Sequence, residues 1–429
     1  MTARPSRRHR GLVLVLLALI ALATFPFVST AIHVAAADQI TVNIDEANSD
    51  FPNGVTFKLD AEGQRKISRI ELLYRTADSE TLNLEVPDFK PAKNIDLTHP
   101  LDLRINFEPA GIDITYHWRL IDDRGNALET EPKTLLWFDN RFDWQSVSSA
   151  DVTVYAYNQN TAFSNIILES AQRTVDRLKV EYDVDPVKPI RIWVYNSGRD
   201  YAKTQPINGI EWSAASAPIG LDLIYAVVGE GNKREVARII PHEVSHQMLY
   251  QATENPFNNP PLWLDEGLAV LNQEVGKDDF AAVVRDAAAK GRLFSVRALS
   301  SNFPYDAADA HLAYAESHEI IRFIIDQFGE DKLRAIILAF REGVSHDDAL
   351  RTGIGIDTDE LDRLWKASLN YPGDQPRATG TTRDSSDWSN FVGTGLASGT
   401  LVLVIALLVV GLFRLSTHRR PRQRPAHLG

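Results

Sequence analysis

The chain has 429 residues, a quarter of them charged, a formal net charge of −12 and no cysteine. That length allows two or three domains with cores of their own. The absent thiols exclude disulfides, thiolate metal sites and a cysteine nucleophile, so any metal must be held by His, Asp or Glu. The acidic balance excludes nucleic acid as an expected partner, because phosphate binding needs a basic surface.

The charge is unevenly placed. "MTARPSRRHR" opens the chain with four arginines and no acid, and the tail from Arg414 carries five; without these nine positive charges the middle stands at −21. Basic ends around an acidic middle form a membrane-topology pattern. The apolar run 11–28, "GLVLVLLALIALATFPFV", leads to Ala35 and Ala37 before Asp38. Basic start, apolar run and small residues read as a signal peptide over residues 1–37, or as an uncleaved N-terminal anchor.

From Ile40 to about Asn140 short runs alternate in polarity with a turn every ten or so residues: "ITVNI", "GVTFKLDA", "ISRIELLYR", "LDLRINF" and "DITYHWRLID". This rhythm predicts an all-β immunoglobulin/fibronectin-like sandwich over residues 38–143. No histidines and carboxylates gather there, so its expected role is that of a spacer or recognition module.

After Trp144 the pattern changes. Strand-like runs at 152–157 and 190–195 flank a helical stretch at 161–179, and a third run, "LDLIYAVV", covers 221–228. Helices are expected at about 262–275, 277–290, 309–328 and 330–341. Strands first and helices afterwards predict an α+β domain over residues 144–372. Residues 373–390 read as a Gly/Ser/Thr-rich linker. Residues 391–413 carry no charge and are long enough for one C-terminal transmembrane helix. The arginines that follow assign 414–429 to the cytoplasm. The expected product is a single-pass membrane protein with its catalytic or binding part outside the cytoplasm.

Within this frame "IIPHEVSHQMLY" (239–250) carries the chemistry. On a helix, His242 and His246 project from one face a turn apart and could hold one metal ion through their imidazoles. Glu243 lies one residue round, suited to reach a water rather than to ligate. The apolar neighbours Ile239, Ile240, Val244, Met248 and Leu249 argue against an ordinary solvated face. Pro241 either opens this helix or kinks it. A third ligand is sought in "PPLWLDEGLAVL" (260–271), where Asp265 and Glu266 sit in an apolar helical run; the alternative is an acid pair complementing a helix dipole. Downstream, Tyr314 shares a helix face with Ser317, Ile321, Ile324 and Phe328, which points it into the fold.

"HEVSH" followed by "WLDEGLA" resembles the gluzincin metallopeptidases, whose pattern is H-E-x-x-H and then W-L-x-E-G-x-A, and within them the broad peptidase MA-like group. The resemblance implies a zincin-like domain in which zinc is held by His242, His246 and Glu266. It implies peptide-bond hydrolysis by zinc-activated water with Glu243 as general base. Glu266 follows His246 by twenty residues, one more than in the aminopeptidase branch. Asp265 therefore stands as a supporting group or substitute ligand. Gly267 would allow close approach of another helix. The G-x-M-E-N motif of the aminopeptidases is absent. Similar metallopeptidases use a Tyr or His to stabilise the oxyanion, which marks Tyr314, and less strongly His311 and His318; a core tyrosine is the other reading. A peptide or protein substrate is expected along a sheet edge, with "LDLIYAVV" as the candidate strand. The alternative is a non-catalytic envelope adhesion or scaffold protein that retains the fold.

Overall fold

The computed structural model describes residues 40–373, apart from 78, 80, 105, 106, 206–214 and 219. Its N-terminal part contains β1 (Ile40–Asp50), β2 (Gly54–Thr76), β3 (Asn83–Glu85), β4 (Ala92–Asp102), β5 (Ile112–Asp122), β6 (Ala127–Glu129) and β7 (Lys133–Trp137). All seven belong to one sheet. The 23-residue β2 crosses the whole of it. The first half of β2 lies between β1 and β4, with Phe57 opposite both Ala47 and His99. Its second half lies between β3 and β5, with Leu73 opposite both Leu84 and His117. Between Glu62 and Ile67 the register shifts, the kind of irregularity that bends a strand. The sheet curls and packs on itself, so that the Phe57 ring meets Tyr116 edge-on at 4.9 Å and Trp118 at 6.2 Å.

The expected fold class needs correction on this point. Among the described residues the N-terminal module forms one curled sheet rather than a pair of stacked sheets. "EGQRK" (62–66) has the composition of a turn, yet the backbone runs through it as strand. Alternating polarity reports one buried face per strand, and a curled sheet satisfies that as well as a sandwich does. The C-terminal part is largely helical. No helix among the described residues is long and apolar enough to cross a membrane. The runs 11–28 and 391–413, which carry the signal and transmembrane expectations, lie outside the described residues.

A second sheet contains β8 (Gln145–Ser148), β9 (Val152–Ala156), β10 (Ile190–Tyr195), β11 (Ala215–Ser216) and β12 (Leu223–Val227), in the order β11-β12-β10-β9-β8. The three central strands are parallel, and both outer ones are antiparallel. β12 is therefore an inner strand, and the two-residue β11 forms the edge on that side. Helix α1 (Thr161–Tyr182), capped by the Asn160 side chain, connects β9 to β10.

Both faces of this sheet are covered, as is usual for parallel strands. Val152, Val154, Ile190, Ile192, Val194, Ile224 and Ala226 face the helices and share their core. Trp193, Tyr195, Leu223 and Tyr225 face the other way, into the core of the curled sheet. Small aliphatics thus lie on the helical side and large aromatics on the other. The Tyr225 hydroxyl donates to the Ala110 carbonyl. Arg191 donates to the Gly111 carbonyl at 3.0 Å and pairs with Asp113 at 2.5 Å. At Gly111, φ is +99° and a Cβ would fall 2.5 Å from Trp193 Nε1, so a side chain has no room there. The N-terminal module is the back wall of the second sheet rather than a detached spacer.

The longer helices that follow the second sheet are α2 (Lys233–Thr253), α3 (Leu262–Asn272), α4 (Phe280–Ala289), α5 (Ala307–Phe328), α6 (Glu330–Arg341), α7 (His346–Ile354) and α8 (Thr358–Ser368). α2 packs against α1 and α3, and α3 against α5. Residues 40–373 are expected to melt as one unit, in a single calorimetric transition with matching calorimetric and van't Hoff enthalpies. A chain starting at residue 144 should aggregate through the exposed aromatic face. Two well-separated transitions would show instead that the curled sheet is independent.

Candidate metal centre

Helix α2 starts at Asn232, whose side chain accepts from the Glu235 N–H. From residue 238 to 249 every side chain except His246 is buried. A helix enclosed on all sides belongs to the core, so the polar groups it carries need partners there. Pro241 lies inside this continuous helix and does not open it.

His242, His246 and Glu266 converge. The two histidine Nε2 atoms are 3.2 Å apart, and Glu266 Oε2 lies 3.4 Å from the first and 3.6 Å from the second. Among the described residues this is the one group of His and carboxylate side chains that could hold a metal ion. His242 is 1% exposed, and Glu243 and Glu266 are each 2% exposed. Glu266 Oε2 and Glu243 Oε2 are buried with no hydrogen-bond partner among the described residues. Buried carboxylate oxygens without donors are unfavourable, and a cation near them would remove that deficit.

Each ligand candidate is held from behind. Asp265 Oδ1 lies 2.6 Å from His246 Nδ1, so Asp265 faces the far side of the ring and not the convergence point. The Gln273 side-chain amide lies 2.8 Å from His242 Nδ1. The Tyr314 hydroxyl donates to Glu266 Oε1 at 3.4 Å, and Phe303 stacks edge-on against the Tyr314 ring at 5.0 Å. The other two histidines lie elsewhere: His311 and His318 flank the Phe280 ring, and His318 Nδ1 meets Glu319 at 3.0 Å.

Gly267 explains how Glu266 reaches its place. A Cβ there would fall 2.6 Å from the Ser317 carbonyl and 2.7 Å from the Ile321 side chain. Helices α3 and α5 therefore cross in contact at this glycine, which brings Glu266 against Tyr314, one turn before Ser317.

Burial and the neighbouring His246 hold His242 well below the ordinary imidazole pKa, leaving its ring neutral. Desolvation also lowers half-buried His246, but Asp265 and Glu266 outweigh that and raise it. Burial raises both Glu243 and Glu266 above the usual carboxylate range. Gln273 was not legible as a site residue in the sequence. Its one signal is a polar residue at the end of an apolar helix.

Two imidazoles a helical turn apart and a carboxylate from the next helix, with a buried acid beside them, could hold a metal ion. Residues 170–371 match the model of the Peptidase MA superfamily. No curated protein matches the chain. Solved structures that resemble it include a putative polysaccharide deacetylase from Bacillus anthracis, at 11% identity and TM-score 0.20, over 37% of this chain and 52% of that one. Another is a polysaccharide deacetylase from Bacillus cereus, at 9% identity and TM-score 0.20, over 47% of this chain and 66% of that one. The chain thus spans between half and two thirds of their length, and at that TM-score neither carries its chemistry over.

The geometry separates the two neighbouring acids. Glu266→Gln is expected to weaken metal affinity by roughly tenfold or more, and Asp265→Asn by less, through lost orientation of His246. Chelator competition ranks them; the reverse order would make Asp265 the ligand.

Proposed function

We propose that the chain is a zinc peptidase, with zinc held by His242, His246 and Glu266 and with Glu243 as the general base of peptide-bond hydrolysis. The observation that carries this reading is the triangle of 3.2, 3.4 and 3.6 Å between the three ligand atoms. Ligands at about 2.0–2.1 Å from a tetrahedral zinc stand about 3.3–3.4 Å from one another. Two neutral-capable imidazoles and one carboxylate also form a usual donor set for catalytic zinc. The superfamily, typically zinc-dependent, supports the same choice.

Zinc bound there would supply Lewis acidity toward a scissile carbonyl and ease the deprotonation of water. The remaining work falls to the chain. Glu243, one residue past the first ligand, takes the proton of the attacking water and returns it to the leaving amine. Its burial raises its proton affinity above that of a surface carboxylate, which suits a group that must both accept and release a proton near neutral pH. Asp265 and Gln273 orient the imidazoles. Tyr314 holds Glu266 through its one O–H, and it would stabilise an oxyanion only by exchanging that bond for one to the developing charge. An extended substrate would pair along β11, the strand at the sheet edge. We retain placement at a cell membrane, outside the cytoplasm, as a proposal that rests on the sequence alone, through its basic ends and the apolar runs 11–28 and 391–413.

The alternative is a scaffold that binds metal without turnover. Glu243 speaks against it, because a binding module gains nothing from a second buried carboxylate without a partner. Glu243→Gln is expected to keep its zinc by elemental analysis and lose nearly all hydrolysis of a broad peptide library. A variant that retains most activity would place the base elsewhere. A zinc-loaded native chain that cleaves nothing would favour the scaffold.

A further inference from the structure

Proline in a helix interior is usually destabilising, because it lacks an N–H and its ring presses on the carbonyl four residues back. Pro241 occupies such a position, one residue before His242. The carbonyl it deprives of a helical partner belongs to Ala237. That carbonyl is nevertheless satisfied: the backbone N–H of Glu274 donates to it at 3.0 Å.

Glu274 directly follows Gln273, which is 4% exposed and holds its side-chain amide 2.8 Å from His242 Nδ1. The Gln273 N–H closes α3 on the Val270 carbonyl at 3.1 Å. The segment leaving α3 is thus tied to α2 by one main-chain bond, just over a helical turn before His242. Ordinary helical bonding by residue 241 would compete for the same carbonyl.

We propose that Pro241 is a positioning residue for the metal centre: it frees the Ala237 carbonyl for Glu274, which keeps the Gln273 amide on His242 Nδ1. This rests on the zinc reading above. For His242 to ligate through Nε2, Nδ1 must carry the proton, and the Gln273 amide must turn its oxygen toward it. The amide can do so by a half-turn in place, provided its backbone is held. Support from behind a ligating histidine typically changes metal affinity by 10- to 100-fold.

The test uses four variants of the full chain, read by zinc affinity in chelator competition and by melting of the metal-free protein. Pro241→Ala restores the helical donor and is expected to melt at or above the native temperature, yet to bind zinc about tenfold more weakly. Glu274→Pro deletes the other donor; Gln273, at φ −58° and ψ 137°, already has the backbone that a following proline requires. It should lose the same affinity, whereas Glu274→Ala, which removes only the exposed ion pair to Arg173, should match the native chain. Gln273→Ala should weaken binding comparably, and adding Pro241→Ala to it should weaken it no further. Folded Pro241→Ala and Glu274→Pro proteins with native affinity would overturn the proposal, as would losses that multiply in the double variant. A native chain that binds no zinc would overturn the metal reading itself, and this inference with it.

Discussion

Two imidazoles and two carboxylates enclosed together are unfavourable unless something neutral or cationic balances them, since desolvation penalises every charged form. Buried His242, Glu243 and Glu266, with half-buried His246, occupy such an enclosure, and much of the structure serves to hold them in it. α2 can be buried on all sides only because α1, α3 and the second sheet surround it. α3 can bring Glu266 to the same point only because Gly267 lets it touch α5. Asp265, Gln273 and Tyr314 each occupy the rear of one converging group, which leaves the front atoms facing one another.

The second sheet transmits this requirement to the N-terminal module. Its helical face is aliphatic and packs beneath α1 and α2, and its opposite face carries Trp193, Tyr195 and Tyr225. Such a face cannot meet water without a large loss of hydrophobic stabilisation. The curled sheet covers it, with Gly111 against Trp193 and Arg191 reaching back to Asp113. The part of the chain that holds no catalytic candidate therefore supports the part that does, through the strands between them.

The site was more legible in the sequence than the architecture was. H-E-x-x-H at helical spacing identifies a shared face whatever surrounds it, and the apolar residues around it signal burial. Asp265 and Glu266 could not be ranked by spacing, because their side chains diverge by about 100° and only the packing of α3 decides which one faces inward. β2 misled for a different reason: polar "EGQRK" resembles a turn, and long-range pairing on both sides keeps it extended. "LDLIYAVV" looked like an available edge, but the two-residue β11, too short to leave a periodic signal, covers it. Pro241 was visible as an anomaly, whereas its partner Glu274 is 33 residues away and carries no mark of its role.

The central claim is that His242, His246 and Glu266 form a three-ligand zinc centre. X-ray absorption at the zinc edge of the metal-loaded chain tests it most directly. The account predicts two imidazole nitrogens and light oxygen donors, one of them from outside the chain, at about 2.0–2.1 Å, with the imidazole signal falling to a single ring in His246→Ala. A spectrum with one or no imidazole, or one that His246→Ala leaves unchanged, would contradict it.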